Sequence, residues 1–259
     1  MELCAIDLKN TSIGYRDGKK DIVVVDGISA SLSRGELVAL IGRNGAGKST
    51  LLRTLAGYQK PLSGTIEYDG SEASLLSLQE LARKVSVVLT DTASVANMSV
   101  VELVSLGRTP YTNFWGTLGN DDKEIVKQAM EMMGILPFAE RNISMLSDGE
   151  RQKCLISKAI AQQTSTILLD EPTAYLDFQS KVHLMQMLRR LAKEEDKAVL
   201  VSTHDLELAL RIADRLWLVA DGKVVAGTVE ELSADGTLQT FIEDDCIGYN
   251  AKDNRIEIK

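Results

Sequence analysis

The chain has 259 residues, of which 44% are hydrophobic, and a formal net charge of -8 at pH 7. This apolar content suffices for one large domain, or for a core with a smaller lobe. The acidic balance argues against a surface that follows nucleic-acid phosphates, so no nucleic acid is expected among the partners. Cys4, Cys154 and Cys246 form no closely spaced pair, which favours a reducing compartment over a disulfide framework.

Neither a secretion signal nor a membrane span is predicted. Residues 1–7 contain no basic region followed by an apolar stretch. No apolar run approaches the roughly 18 residues that a membrane-spanning helix requires. Any role at a membrane is therefore expected to be peripheral, on the cytoplasmic side.

The predicted elements begin with strands and continue as strands alternating with helices. Apolar and polar residues alternate over residues 6–33, which predicts antiparallel strands with turns at residues 17–18 and 26–27. A buried strand at 37–41, a glycine-rich turn and a helix at 48–56 follow. Further buried strands are predicted over residues 85–89, 166–169, 198–202 and 216–219. Helical patterns over 178–193 and 206–213 separate the later strands, which indicates a mainly parallel sheet covered on both faces.

Residues 90–163 lack this alternation and predict several helices, including 100–106 and 122–133. We expect these helices to form a separate lobe. A short strand at 223–227 and helices near 229–242 precede a charged tail to which the sequence assigns no role.

A glycine-rich segment follows the buried strand and opens the next helix. Glycines let successive backbone N–H groups curl around phosphate oxygens, and the helix N-terminus adds partial positive charge. Lys48 is expected to lie between the terminal phosphates of a nucleotide, and Ser49 to bind magnesium. The alternative is a turn with an unrelated lysine, which the full spacing disfavours. The expected phosphate-binding residues are Gly42, Arg43, Asn44, Gly45, Ala46, Gly47, Lys48, Ser49 and Thr50.

Two carboxylates end the predicted strand at 166–169, in the crevice where an open parallel sheet binds ligands. Asp170 is expected to hold Mg²⁺ through water. Glu171 lies one residue further, where it could orient or deprotonate the water that attacks the γ-phosphate. The alternative is that Glu171 is simply an acid before Pro172 in an ordinary turn at the end of a strand. The nearby phosphate loop makes this alternative the weaker of the two interpretations.

Residues 146–153, Leu-Ser-Asp-Gly-Glu-Arg-Gln-Lys, lie between these elements and resemble the signature segment of the ATP-binding cassette family. Residues 170–177 resemble the family's magnesium-binding strand end and its dimer-contacting loop, and residues 202–205 resemble its switch-histidine segment. The resemblance runs from about residue 6 to 235. It implies an α/β fold: a P-loop ATPase core with a mainly parallel sheet, an N-terminal antiparallel β subdomain and an inserted helical subdomain.

The resemblance also implies one ABC ATPase domain over residues 1–259. Its core is expected over about 1–89 and 164–235, the helical subdomain over about 90–163 and the tail over about 236–259.

The matching positions imply ATP and Mg²⁺ as ligands and a homodimer as the working unit. The start of the signature helix, with Ser147, is expected to reach the γ-phosphate held by the opposite subunit. A neutral His204 is expected to hydrogen-bond the γ-phosphate and the Glu171 side. The expected catalytic residues are Lys48, Glu171 and His204, and the nucleotide contacts add Ser147, Gly149, Glu150 and Asp177.

The sequence leaves the roles of Tyr15 and His183 open between two interpretations each. Tyr15 matches the family's adenine-stacking aromatic, although a lone tyrosine in a strand more often serves packing. His183 lies in a helical pattern with no motif around it, so we expect it to be solvated or to pack.

Two positions depart from the family pattern. Asp148 replaces the first of two signature glycines; it either caps the helix and points away from the nucleotide, or points inward and weakens closure. Where relatives place a magnesium-contacting glutamine, the chain has Thr90 followed by Asp91. Thr90 is expected to reach Mg²⁺ only through its shorter hydroxyl, and Asp91 is the alternative.

Residues 101–116 are similar to a stretch in the ATPases of bacterial importers of iron siderophores, haem and cobalamin. This similarity implies integral-membrane permease subunits as partners and, indirectly, a periplasmic or lipid-anchored substrate-binding protein. The aromatic residues of this stretch either pack on a permease helix or inside the helical lobe. They are Tyr111, Phe114 and Trp115.

Two other functions remain as alternatives. One is a non-transport ABC ATPase of translation or DNA repair, which the single phosphate loop, the missing heptad insertion and the acidic charge disfavour. The other is a nucleotide-binding scaffold with little hydrolysis, suggested by Asp148 and Thr90.

Overall fold

The computed structural model describes residues 4–18, 20–90, 97–113, 115–243, 245–251 and 253–259. The strands are β1 (Cys4–Asp17), β2 (Lys20–Ser33), β3 (Leu37–Gly42), β4 (Ser63–Tyr68), β5 (Ser71–Glu72), β6 (Val85–Val88), β7 (Thr166–Asp170), β8 (Ala198–Thr203), β9 (Arg215–Ala220), β10 (Lys223–Gly227), β11 (Ile247–Asn250) and β12 (Arg255–Ile258).

The α-helices are α1 (Lys48–Leu55), α2 (Leu78–Lys84), α3 (Val100–Ser105), α4 (Asn120–Met132), α5 (Asp148–Ala161), α6 (Phe178–Glu194), α7 (Leu206–Ile212), α8 (Val229–Ala234) and α9 (Thr237–Ile242). Short 3-10 helices cover Ala73–Leu75, Leu106–Tyr111, Leu136–Phe138 and Ile143–Met145. Across the described ranges, none of the helices combines the length and apolarity needed to cross a bilayer.

The central sheet has six strands in the order β10-β9-β3-β8-β7-β6. All neighbours are parallel except β10, which pairs antiparallel with β9. Strands β3, β7 and β8 are buried along their whole length, which explains their nearly continuous apolar sequences. Helices α3 to α7 contribute to the core on one face of the sheet, and α1 packs on the other. The predicted α/β class is confirmed.

The N-terminal sheet is antiparallel, with the order β2-β1-β4-β5. The turn predicted at residues 26–27 is wrong, because both residues lie inside β2. Pairing there shifts from Thr11↔Ile28 to Ile13↔Val25, and Gly27 has φ +61, which marks a bulge. Strands β4 and β5 and helix α2 had no counterpart among the predicted elements.

Helices α3, α4 and α5 pack against one another between β6 and β7. The Ser157 hydroxyl on α5 donates to the Ala129 carbonyl on α4 at 3.1 Å. The apolar cluster of these helices continues into β7 and α6, through Ile156, Leu169 and Leu188. The boundary at residue 163 between core and helical subdomain therefore stays a prediction.

The C-terminal segment forms a hairpin of β11 and β12, which the sequence did not predict. Tyr249 anchors it, because this side chain is only 9% exposed and packs in the cluster that contains Leu232 and Leu238 of α8 and α9. Its hydroxyl donates to Asn254 Oδ1 at 2.6 Å. Tyr249 is the most buried of the side chains that attach the hairpin to the core; Ile247 and Ile256 also pack against the same cluster.

This attachment predicts the behaviour of a matched pair of variants. Tyr249→Ala should raise amide hydrogen exchange in β11 and β12 by at least about tenfold, because it removes a buried aromatic group. Ile258→Ala removes a side chain that is 92% exposed and should leave the exchange rates unchanged. Equal exchange in both variants would show that Tyr249 does not anchor the hairpin.

Candidate functional site

The glycine-rich loop joins the carboxyl end of β3 to the start of α1. Gly47 precedes α1 with φ +106, and a Cβ atom added there would lie 2.7 Å from Val24 Cγ1. A Cβ atom on Gly42 would lie 2.7 Å from the Val219 carbonyl oxygen. Both positions therefore require glycine: one for its conformation and its packing, the other for its packing alone.

The loop leaves the first turn of α1 available to an anion. Gly47 offers no capping side chain, and the first turn of α1 contains no acidic residue. A cavity of about 340 Å³ opens here, within the size range of small-ligand sites. It is lined by Tyr15, Val24, Arg43, Asn44, Gly45, Gly47, Lys48, Ser49, Thr50, Asp170 and Glu171. The helix dipole and the N–H groups favour negative charge in this cavity.

Lys48 supplies a buried cation to the cavity. The residue is 7% exposed, and its ammonium donates to the Gly42 carbonyl at 2.6 Å and to the Arg43 carbonyl at 3.4 Å. Its Nζ atom lies 4.0 Å from Glu171 Oε1. The loop carbonyls thus hold the charge at the cavity wall.

The two carboxylates at the end of β7 are fixed by Ser202, which pairs with Asp170 in the register of β7 and β8. The Ser202 hydroxyl donates to Asp170 Oδ1 at 2.6 Å and accepts the Glu171 backbone N–H at 2.9 Å. Glu171 has φ +48, a left-handed conformation that costs energy in a residue other than glycine. Ser202 therefore holds Glu171 in a strained turn that aims its side chain at the loop.

His204 contacts the other oxygen of Glu171, with 2.8 Å between Nδ1 and Oε2. An ionised carboxylate only accepts hydrogen bonds, so Nδ1 is the donor and Nε2 of a neutral ring carries no proton. A neutral His204 can therefore donate to Glu171 or to a phosphate, but not to both at once. The expectation that it serves both requires a protonated ring.

Ser147 caps α5, and Asp148 does not. The Ser147 hydroxyl accepts from the Glu150 N–H at 3.3 Å, and the Ser147 N–H donates to Glu150 Oε2 at 2.9 Å, a reciprocal capping box. The Ser147 hydroxyl also donates to Glu150 Oε2 at 2.7 Å, and the hydroxyl and N–H bonds to this carboxylate hold the pKa of Glu150 below its usual range. Asp148 lies in the first turn of α5 and pairs with Arg151 at 3.4 Å. Of the two alternatives for Asp148, the one in which it caps α5 is therefore wrong.

The signature residues do not line the phosphate cavity of their own chain. Gly149 lies against the loop before α6, since an added Cβ atom would be 3.1 Å from Leu176 Cδ2. Asp177 caps α6 by accepting the Ser180 N–H at 2.8 Å, which holds the pKa of Asp177 below its usual range. Asp148 faces a second cavity of about 210 Å³ that also reaches Asp170 and Glu171.

Tyr15 and Thr90 lie at two sides of the site. The Tyr15 hydroxyl lies 2.7 Å from Thr50 Oγ1, and the residue is 46% exposed on the cavity wall. Thr90 donates to the Asp170 carbonyl at 3.4 Å and lines the second cavity. Asp91 lies outside the described residues.

Ser202 is the residue that sequence reasoning missed. Its segment was singled out for His204, and the serine itself looks like one more residue of a buried strand. Only the pairing of Asp170 with Ser202 on adjacent parallel strands reveals its role.

Comparisons with known proteins agree with this geometry. A family model described as ABC transporter matches residues 25–174. The uncharacterized ABC transporter ATP-binding protein MJ0873 of Methanocaldococcus jannaschii is 43% identical over 84% of this chain and 74% of that protein. The cobalamin import ATP-binding protein BtuD of Halobacterium salinarum is 41% identical over 78% of this chain and 50% of its own length. The iron(3+)-hydroxamate import ATP-binding protein FhuC of Bacillus subtilis is 34% identical over 93% of this chain and 88% of that protein.

Among solved structures, the dimeric bacterial ABC transporter cassette MJ0796 superposes with a TM-score of 0.76 at 28% identity, over 86% of this chain and 98% of that one. The same cassette has also been solved as a dimer in a post-hydrolysis state with ADP and phosphate. The match to the family model extends over more than half of this chain and includes the glycine-rich loop and the end of β7. The chain is therefore an ATPase of the ABC transporter family.

Proposed function

We propose that this chain is the ATPase subunit of a bacterial importer, and that two copies close around two ATP molecules to drive transport. The observation that carries the proposal is the position of Glu171, which is fixed by Ser202 and lies between Lys48 and His204. A carboxylate held beside a phosphate cavity in this way suits hydrolysis.

In the proposed reaction, Glu171 accepts a proton from the attacking water. A bond forms between the water oxygen and the γ-phosphorus, while the bond from that phosphorus to the bridging oxygen breaks and ADP departs. Lys48 and the N–H groups of the loop offset the negative charge of the phosphates. His204 orients Glu171 through Nδ1, which makes it a positioning residue in the geometry observed here.

The oxygen ligands near the loop fit Mg²⁺, which keeps several waters and binds one or two carboxylates together with substrate phosphates. Ser49 presents an exposed hydroxyl, Asp170 a carboxylate, and Thr90 a hydroxyl at the second cavity. When bound, the ion neutralises phosphate charge. Ser49, Asp170 and Thr90 are the residues that would hold it, Asp170 and Thr90 through water.

The placement of the signature residues supports the homodimer. Ser147, Gly149, Glu150 and Asp177 do not line the phosphate cavity of their own chain, so a second copy is needed to bring them to it. Large apolar residues near them are exposed: Met145 at 77%, Tyr175 at 58% and Phe178 at 73%. Exposed apolar groups of this size mark an interface. The related cassette MJ0796 is itself dimeric.

A second exposed apolar surface supports docking to permease subunits. Leu75 is 78%, Leu78 81% and Trp115 84% exposed. Gln79 and Arg83 of α2 both donate to the Pro110 carbonyl, at 3.3 and 3.1 Å, so the segment Leu106–Tyr111 is attached to this surface. Phe114 lies outside the described residues.

The cargo is proposed to be an iron siderophore or a related metal chelate such as haem or cobalamin. The relatives named for iron(3+)-hydroxamate and cobalamin import support this class. The chain would act at the cytoplasmic face of the cell membrane, and a periplasmic or lipid-anchored binding protein would select the cargo. The non-transport alternative lacks a supporting observation, because no feature of the described surface favours nucleic acid.

The first test replaces the proposed general base. Glu171→Gln should lower ATP turnover by at least about a hundredfold, since the amide cannot accept the proton, while the variant retains ATP and accumulates as a dimer on gel filtration. Glu194→Gln, an exposed change at the end of α6, is the control and should behave like the original chain. Unchanged turnover in Glu171→Gln would remove Glu171 from its role.

The second test concerns the serine that fixes the turn. Ser202→Ala should lower kcat by about tenfold or more, because Glu171 loses the bond that aims it. Ser86→Ala is matched, since Ser86 is also a buried serine of the central sheet, 1% exposed and bonded to Thr164. Both changes should destabilise the fold by about 1 kcal/mol. A similar kcat in both variants would contradict the role of Ser202.

The third test concerns phosphate binding. Lys48→Ala should weaken ATP binding by about tenfold or more in a fluorescent-nucleotide titration, because a buried charge-assisted contact is lost. The exposed Lys60, just beyond α1, provides the control variant Lys60→Ala. An unchanged Kd in Lys48→Ala would show that the loop does not hold the triphosphate.

A further inference from the structure

A buried arginine lies inside the segment proposed to face the permease. Arg108 is 6% exposed, although it belongs to the 3-10 helix Leu106–Tyr111, whose first residue is 47% exposed. A buried guanidinium carries a large desolvation cost unless all sides of it find partners. Each partner of Arg108 therefore shows what the residue holds together.

The guanidinium joins the ends of two helices. Its NH1 atom donates to the Ala161 carbonyl, in the last residue of α5, at 2.9 Å, and to Gln163 Oε1, just beyond α5, at 3.1 Å. Its Nε atom donates to Asp122 in the first turn of α4 at 2.8 Å, and this bond holds the pKa of Asp122 below its usual range. Asp122 also accepts the Gly119 N–H at 3.0 Å. One cation thus satisfies a carbonyl at the end of α5 and the acid that caps α4.

The rest of the segment is fixed in the same way. A Cβ atom on Gly107 would lie 2.3 Å from the Lys158 carbonyl oxygen, so the backbone of the segment touches α5 directly. The Arg108 guanidinium lies 4.2 Å from the centre of the Tyr111 ring, and Arg83 of α2 lies 5.4 Å from the same ring. Tyr111, the exposed aromatic, is therefore held from the helical side by Arg108 and from the α2 side by Arg83.

Helix α5 connects this attachment to the nucleotide site. It is a single helix of 14 residues that begins after the cap Ser147 and ends at Ala161. We propose that Arg108 is a positioning residue that makes the segment Leu106–Tyr111 and α5 move as one body, so that a push on the segment displaces Ser147. This inference rests on the proposed function, and it assigns the coupling to a residue that touches neither nucleotide nor permease.

Lysine cannot replace arginine in this role. A lysine ammonium is a point charge and lacks the planar fork that reaches Asp122, Ala161 and the Tyr111 face at the same time. Arg108→Lys keeps the buried charge but breaks the three-way contact. It is therefore the variant that separates coupling from folding.

The experiment uses the full chain with inverted membrane vesicles from the source cells, stripped of peripheral proteins with urea. ATP turnover is measured without vesicles and with them. Arg108→Lys should keep turnover without vesicles within about twofold, keep its sedimentation with vesicles, and lose about fivefold or more of the vesicle-dependent increase. Hydrogen exchange of the isolated chain should rise in residues 106–112.

Arg83→Lys is the matched control, because Arg83 faces the same ring from α2 and donates to the Pro110 carbonyl, whereas Arg108 donates to α5. It should retain the vesicle-dependent increase. Asp122→Asn is the second variant should Arg108→Lys fail to fold, since the amide oxygen can still accept the Gly119 N–H while the charge is lost. Asp122→Asn should also lose part of the vesicle-dependent increase in ATP turnover.

The outcomes are distinct. Vesicles that fail to stimulate the original chain would overturn the proposed function, and this inference with it. If vesicles increase the ATP turnover of the original chain and of Arg108→Lys equally, the inference is overturned and the proposed function is not. An equal loss in Arg83→Lys would also overturn it, because the attachment to α5 would then not be the cause.

Discussion

The site depends on one turn at the end of β7, where Glu171 leaves the sheet in a left-handed conformation and Ser202 holds its backbone. The same serine donates to Asp170, so one hydroxyl fixes both carboxylates. Because β3, β7 and β8 are parallel neighbours, their carboxyl ends meet at one edge of the sheet. The phosphate loop, the carboxylates and His204 therefore lie together at this edge.

The same topology supports the proposal that a single chain offers only part of a site. The loop and the carboxylates end strands of the central sheet, whereas Ser147 caps α5, a helix of the helical lobe. The capping box orders the tip of α5. Arg108 fixes the opposite end of α5 to the exposed segment. One helix thus connects the surface proposed to face a second copy with the surface proposed to face the membrane partner.

The sequence predicted elements with a clear hydrophobic pattern and clear ends, such as β3, α1, β7 and α6. Buried strands form continuous apolar runs, and amphipathic helices repeat their apolar residues at regular intervals. The prediction failed where tertiary contacts decide. Gly27 looks like a turn residue but serves a bulge, and the tail looks solvated although Tyr249 anchors a hairpin. Ser202 and Arg108 are single polar residues in apolar surroundings, and only the fold shows what they join. The signature was recognised, but the sequence left capping by Asp148 as one of two alternatives, because Ser and Asp cap helices equally well and only the structure shows that Ser147 is the cap.

The central claim is that each ATP site combines the loop of one copy with Ser147 of another. It is tested most directly by mixing two variants in the hydrolysis-blocked Glu171→Gln background and counting retained ATP. One carries Lys48→Ala; the other carries Ser147→Asp, which keeps a capping side chain but places charge against the partner's phosphate. The account predicts that neither variant retains ATP alone and that the mixture does, because mixed dimers contain one intact site. Retention in the mixture no greater than the average of the two variants measured separately would contradict it.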